Sequence, residues 1–168
     1  MKMLVYQKVE KCDNELVRFH QCQKEYYALE GTIVTRNTIV SDMCSPQGFE
    51  NHRHEQYKIY DGINIIGYID FIYGYRFSQK HDHHYVWIGL FLIDENHQRK
   101  HYGQQIIDHF INIWKNECDY IQLGCLIHNR KGYAFWKSLG FYDIDISSDQ
   151  EVLILEKHID KEKHYDKK

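Results

Sequence analysis

The chain has 168 residues and a mass of 20.4 kDa, which suits one domain able to bury a core without a metal or disulfide staple. Apolar residues make up 43% and aromatic residues 15%, which excludes a disordered polymer, and charge recurs too often along the chain for a membrane protein. The 21 basic and 24 acidic side chains leave a net charge of −3, without the basic excess that marks a nucleic-acid binder.

In chain order, a short strand is expected near Met3–Val9, then a helix from about Asn14 to Leu29, with Asp13 as its N-cap and Gly31 as its stop. A weaker helix spans Asn37–Cys44 and breaks at Ser45-Pro46-Gln47-Gly48. Gln56–Tyr60 and Ile63–Tyr73 are β-rich runs joined through Asp61-Gly62, a hairpin signal. Tyr85–Ile93 carries no charge and no alternation, the pattern of a strand covered on both faces. A polar turn from Asp94 to His101 leads into Tyr102–Lys115, where Ile106, Ile107, Phe110, Ile113 and Trp114 form one helical apolar face. Tyr120–Ile127 is a strand, Asn129–Leu139 a helix closed by Gly140, and Phe141–Ile146 and Val152–Leu155 are the last strands, antiparallel to each other. The segment 157–168 has no apolar face and reads as a solvated tail, which leaves 1–156 as one domain. The fold class is α/β, a mixed sheet with helices on both faces.

Cysteine usage and the N-terminus point to the cytoplasm. Cys12, Cys22, Cys44, Cys118 and Cys125 are odd in number and lack C-x-x-C spacing, so no disulfide framework is expected, and Cys118 and Cys125 read as buried small hydrophobes. Met1–Gln7 has no apolar secretory region, and Tyr85–Ile93, the longest uncharged apolar run, falls well short of the ~20 residues of a membrane helix.

Chemistry concentrates in Gln98-Arg99-Lys100-His101-Tyr102-Gly103-Gln104, a cationic turn between a buried strand and an amphipathic helix. The unpaired N–H groups of a helix start converge there and suit a phosphate or pyrophosphate. Gly103 removes a Cβ from the approach, while Arg99 and Lys100 add positive charge at the rim. Asp70 is isolated in the apolar run Ile69–Tyr73, where a carboxylate is costly unless paired, so it reads as a structural pair or as a general base. Tyr133, three residues before Trp136 on one helix, offers a hydroxyl to the same neighbourhood. The runs His81-Asp82-His83-His84 and His52-Arg53-His54-Glu55 fall in expected loops without the spacing of a helical zinc site, and no metal is expected.

These residues resemble the GCN5-related N-acetyltransferase family, in which a Q/R-x-x-G-x-G/A turn follows the fourth strand and an N-x-x-A-x-x-F-Y-x-x-x-G-F helix follows the fifth. Gln98 and Gly103 match the first motif; Asn129, Phe135, Gly140 and Phe141 match the second. The resemblance covers about Gln56–Leu155 and implies a mostly antiparallel sheet whose fourth and fifth strands splay around the arm of acetyl-CoA. It assigns Phe91 and Ile93 to that arm, Gln98 to Gln104 to the pyrophosphate, and Asn129 to the arm's other side. Gly89 then marks either the bulge that opens the sheet or close packing under a helix. Two residues depart from the pattern. His101 stands at a turn glycine, and Trp136 stands where many members place the tyrosine that protonates the leaving thiolate. Indole offers an N–H donor but no titratable proton. The implied function is acetyl transfer from acetyl-CoA to a primary amine of a small molecule or peptide, with Asp70, Tyr133 and Trp136 as the candidate catalytic set. The alternative is a non-catalytic acyl-CoA-binding module. The N-terminal helices and the segment Gly74–His84, with Tyr73, Tyr75, Arg76 and Phe77, are expected to wall the acceptor pocket. A homodimer is common among such proteins and is implied by the resemblance alone, with no independent sign of it in the sequence.

Overall fold

A computed structural model describes residues 3–165. Seven strands form one sheet in the order β1-β2-β3-β4-β5-β7-β6. They are β1 (Val5–Lys8), β2 (His54–Asp61), β3 (Asn64–Arg76), β4 (Lys80–Ile93), β5 (Tyr120–Leu126), β6 (Tyr142–Ile146) and β7 (Val152–His158). The helices are α1 (Asn14–Cys22), α2 (Lys24–Glu30), α3 (Arg36–Met43), α4 (Tyr102–Trp114) and α5 (Arg130–Ser138). Every neighbouring pair is antiparallel except β4 and β5, which run parallel. Parallel neighbours need a crossover, and α4 supplies it.

Each face of the sheet has its own core because α4 is apolar along one stripe and the N-terminal helices along another. Ile106, Ile107, Phe110, Ile111 and Trp114 are at most 1% exposed and pack on Ile69, Phe71 and Val86. Each such side chain contributes roughly 1.5–3 kcal/mol of burial before entropy is counted. On the other face, Leu16, Phe19, Tyr27 and Ile39 of α1, α2 and α3 pack on Tyr68 and Leu92. Positions 69 and 71 face α4, so by strand alternation Asp70 shares the α1–α3 side with Tyr68.

Four expectations need correction. The single helix over 14–29 is two helices, broken at Gln23, whose ψ of 61° leaves the helical region. The Gln23 amide is engaged in long-range bonds, donating to Asp94 Oδ1 at 3.0 Å and accepting from the Glu95 N–H at 3.1 Å. The segment Gly74–His84 is a β-hairpin rather than a loop, since β3 pairs with β4 as far as Arg76 and Lys80. His81-Asp82-His83-His84 and His54-Glu55 are therefore strand residues. The expected tail also begins too early. β7 pairs with β5 through His158, Ile159 is fully buried and Tyr165 is 8% exposed, both joined to the α4-side core. Two apolar residues suffice to dock a segment whose other side chains are polar, which is why composition hid the contact. Residues 166–168 of that tail lie outside the described residues.

Candidate active site

The decisive local event is a bulge in β4. Asp70 pairs with Leu90 and Phe71 with Ile88, which leaves Gly89 as the extra residue on β4. Of the two readings of Gly89, the bulge holds; its close contact is with Asp70 of β3 and not with a helix. A Cβ there would lie 2.7 Å from Asp70 Oδ1, so only glycine lets the bulge rest on the carboxylate. Beyond the bulge β4 and β5 part. Their pairing runs from Tyr85–Tyr120 to Ile88–Leu123 and stops, while β4 continues along β3 to Ile93 and β5 continues along β7 to Leu126. Strands sharing a parallel ladder for four residues and then following different partners must splay.

The splay opens a cleft of about 870 Å³. β4 contributes Gly89, Phe91 and Ile93, and α5 contributes Asn129, Phe135 and Trp136. Phe91 packs on Phe135 and Trp136, with ring centroids 6.0 and 5.7 Å away, and Trp136 is 8% exposed. Asn129 is the N-cap of α5, its Oδ1 accepting the Gly132 N–H at 2.9 Å, so its amide donors are what it can offer the cleft. Cys125 also lines the cleft, and burial pushes its thiol up to about 11, which makes it an inert wall.

At one end of the cleft lies the 98–104 turn. Arg99 and His101 are left-handed, with φ of 62° and 64°, and bracket Lys100. His101 is the N-cap of this 13-residue helix, α4, and its side chain makes no cap hydrogen bond to the helix start. Backbone N–H groups in alternating conformations beside an open helix start form an anion nest. Gln98, Arg99, His101, Tyr102, Gly103 and Gln104 reach the cleft. Lys100 does not line it, and the sequence offered no way to separate the two neighbouring cations. Gln98 is half committed, its Nε2 donating to the Ile93 carbonyl at 3.1 Å. The Tyr102 hydroxyl donates to Asp61 Oδ2 at 2.5 Å, which ties the helix start to the β2–β3 turn. Gly103 serves a different purpose from the expected one: its missing Cβ would meet Phe135 Cε1 at 2.8 Å, so the space is taken by a ring of α5.

The candidate catalytic residues separate. Asp70, 6% exposed, lies under the bulge. Trp136 lines the cleft. Tyr133 does not: its hydroxyl donates to Asp143 at 3.0 and 3.1 Å on the β6 side, and that bond, with some burial, raises its pKa. Spacing of three on a helix gave one face, but the tyrosine is long enough to turn outward to a carboxylate. The 74–84 hairpin is also remote. Tyr75 packs on Trp87 and Arg76 pairs with Asp82 at 3.2 Å; of the two segments expected to wall the pocket, the N-terminal helices line the cleft, through Glu25, Tyr26 and Glu30 of α2. Burial, then the neighbouring Glu30 charge, holds the Tyr26 hydroxyl well above its ordinary value, so it stays a neutral donor. Glu25 forms an ion pair with Lys131 of α5 at 2.8 Å.

Sequence reasoning missed the partners of Asp70. Gln56 sits opposite Asp70 in the β2–β3 ladder and donates to its Oδ2 at 3.0 Å; His54, two residues earlier on the same side, lies 2.8 Å from both oxygens. The signal was there in hindsight: two polar residues with period two, opposite a lone carboxylate. It could be read only once the register was known. Among the described residues, Asp82, His83 and His84 bring metal-type ligand atoms within 4.8 Å of one another, but Arg76 pairs with Asp82 and Asp119 takes the His84 Nδ1 at 2.6 Å.

A model of the Acetyltransferase (GNAT) family matches residues 37–141, well over half of the chain. The chain belongs to that family. No curated protein matches it in sequence. Solved structures show the same GNAT fold at low identity. An acetyltransferase from Thermus thermophilus is 22% identical, with a TM-score of 0.73 over 92% of this chain and 96% of that one. An aminoglycoside acetyltransferase in complex with coenzyme A is 13% identical, with a TM-score of 0.72 over 93% and 95%. Spermidine N-acetyltransferase from Vibrio cholerae, in complex with CoA and spermine, is also 13% identical, with a TM-score of 0.66 over 93% and 95%. The mixed sheet with its parallel, splayed β4–β5 pair is the fold of this family. Among the described residues no helix is long and apolar enough to cross a membrane.

Proposed function

We propose that this GNAT domain transfers an acetyl group from acetyl-CoA to a primary amine of a small molecule or peptide by direct attack on the thioester. The observation that carries the reading is the continuity of one cleft, from the anion nest at 98–104, along the free edge of β4, to the bulge where Gly89 rests on Asp70. The residues fit the coenzyme. An extended arm can complete the β4 edge opened beyond Ile88, with Phe91, Ile93 and Asn129 beside it. The nest and Arg99 suit the pyrophosphate, and Phe135 and Trp136 supply an apolar wall. Acetyl-CoA supplies an activated acyl group on a good leaving thiolate.

An ammonium has no lone pair, so the acceptor must first lose a proton, and in this reading Asp70, whose Oδ1 lies against Gly89 of the cleft wall, is the base that takes it. As nitrogen attacks, the C–N bond forms, the carbonyl oxygen gains charge, and a backbone N–H of β4 at the bulge is the donor for it. The C–S bond then breaks; the Trp136 indole can hydrogen-bond the thiolate, and the proton it takes up comes from the acylated nitrogen or water. Glu30 on the cleft wall favours a positively charged acceptor, whereas Glu25 is already paired with Lys131.

The test measures coenzyme A thiol release across a panel of primary amines, with Asp70→Asn as the control. Turnover with at least one amine, lost in Asp70→Asn while calorimetric acetyl-CoA binding persists, is the expected result. A second reading is a non-catalytic acyl-CoA-binding module. It is favoured by Trp136 in place of a proton donor and by Tyr133 turned to Asp143. Tight binding without release for any amine would select it, and no binding at all would sink both.

A further inference from the structure

We propose that His54 is the positioning residue of Asp70, and that Ser45 in turn fixes the imidazole of His54. The inference rests on Asp70 being the base proposed above. It starts from register. In the antiparallel β2–β3 pair, Gln56 stands opposite Asp70 and His54 opposite Ile72, so both side chains reach the same face, one directly and one on the diagonal. The His54 and Asp70 side chains are each 8% exposed. A buried carboxylate is tolerated only with donors, and Asp70 has two: His54 Nε2 at 2.8 Å from both oxygens and Gln56 Nε2 at 3.0 Å from Oδ2.

Those bonds dictate the tautomer. With Nε2–H aimed at the carboxylate, the neutral ring keeps its lone pair on Nδ1, and Ser45 Oγ lies 3.1 Å from that atom, placed to donate to it. Ser45 follows the end of α3, and Gln56 also donates to the Met43 carbonyl of that helix at 3.2 Å. The sequence therefore commits Ser45, His54 and Gln56, from two separate segments, to one carboxylate. A fixed carboxylate is what the bulge needs, because Oδ1 lies directly against Gly89, which lines the cleft.

The other ionisable groups near Asp70 are Tyr68 beside it on β3 and Asp42 on α3, with Glu30 of α2 behind Asp42. Burial first, then Glu30 and Asp70, raise the Asp42 carboxyl. The α2–α3 side thus presents acidic groups and phenols to Asp70, and its two side-chain donors, His54 and Gln56, both come from β2.

The experiment follows kcat and KM against pH for His54→Leu, His54→Gln and His54→Asn in the full chain. A carboxylate that loses a donor takes up a proton more readily, so in His54→Leu the acid limb of kcat/KM should move to higher pH. At pH 7 kcat should fall roughly 10- to 100-fold, as misplaced groups do, with the KM for acetyl-CoA unchanged. Gln can place an amide N–H where Nε2–H was and should return the limb to its wild-type position; Asn is too short and should not. The midpoint of the Asp70 13Cγ NMR titration should follow the same order whether or not the protein turns over. If His54→Leu does not fold, the Gln and Asn pair decides. Limbs and midpoints that coincide across the variants, with kcat/KM merely scaled at every pH, would overturn the role of His54 and leave Asp70 as base. Wild-type turnover in Asp70→Asn would overturn the base itself.

Discussion

Gly103→Ala is the sharpest probe of how the cleft is built. The added Cβ would sit 2.8 Å from Phe135 Cε1 and 3.0 Å from Cζ. Carbon atoms are at ease at about 3.5–4.0 Å, so the ring edge must retreat by roughly 0.7 Å. It has little room, because Phe135 packs on Phe91 at 6.0 Å and on Trp136 at 4.9 Å between ring centroids. Overpacking of that kind costs about 1–3 kcal/mol, while alanine regains at most ~1 kcal/mol of helix propensity over glycine. The net is a loss of about 1 kcal/mol, or ~2–4 °C in Tm for a domain of this size. Thermal melts with and without coenzyme A check it, and the stabilisation that coenzyme A confers should shrink as the ring moves into the slot. Phe135→Leu removes the ring edge, so in a double-mutant cycle the two changes should couple by about 0.5–3 kcal/mol in the rescuing direction. A Gly103→Ala protein that is more stable than the parent, and additive with Phe135→Leu, would refute the packing argument.

His101→Gly should stabilise the chain by about 0.5–1 kcal/mol in urea titration, since the left-handed conformation costs an L-residue ~1–2 kcal/mol and glycine's flexibility takes part of that back. Loss of coenzyme A affinity in the same variant would assign the imidazole a ligand contact. Lys58, with a side chain 7% exposed, holds Asp13 at 2.7 Å and Glu15 at 2.9 Å. Burial works to raise the Asp13 carboxyl, but the bonds from Lys58 and the Leu16 N–H outweigh it and lower it; the Tyr60 hydroxyl, then Lys58, lower Glu15. Carboxyls held low in the fold stabilise it above their ordinary values of 3.8 and 4.5, and that stabilisation is lost as pH falls through the folded values. Urea midpoints should therefore drop below pH 4.5, and Lys58→Met should flatten the drop; an unchanged slope would contradict this.

Much of this was legible in the sequence because it is local. The apolar stripe of Tyr102–Trp114, the Asp13 cap, the Asp61-Gly62 turn and the left-handed stop at Gly31 each declare themselves within a few residues. The cationic turn at 98–104 was legible for the same reason, whereas Phe91, Ile93, Asn129 and Trp136 were singled out only by the family resemblance; all four line the cleft. What stayed hidden depends on register and distant partners. Gln23 reads as one more helical residue until Asp94 and Glu95 claim its amide. Tyr133 reads as facing the site until Asp143, ten residues on, takes its hydroxyl. His54 and Ser45 are two polar residues among many until β2 and β3 pair.

The break at Gln23 has a consequence for how such a protein can change. Its amide clasps the stretch that leads into the 98–104 turn, and the Glu95 carboxylate accepts the Glu25 N–H at 2.7 Å, so one wall of the cleft, α2, is fastened to the approach to its other end. Under the proposed acetyl transfer, acceptor preference and coenzyme grip would then not be separable traits: a lineage exploring new amines through this helix would carry its hold on the donor along with every step.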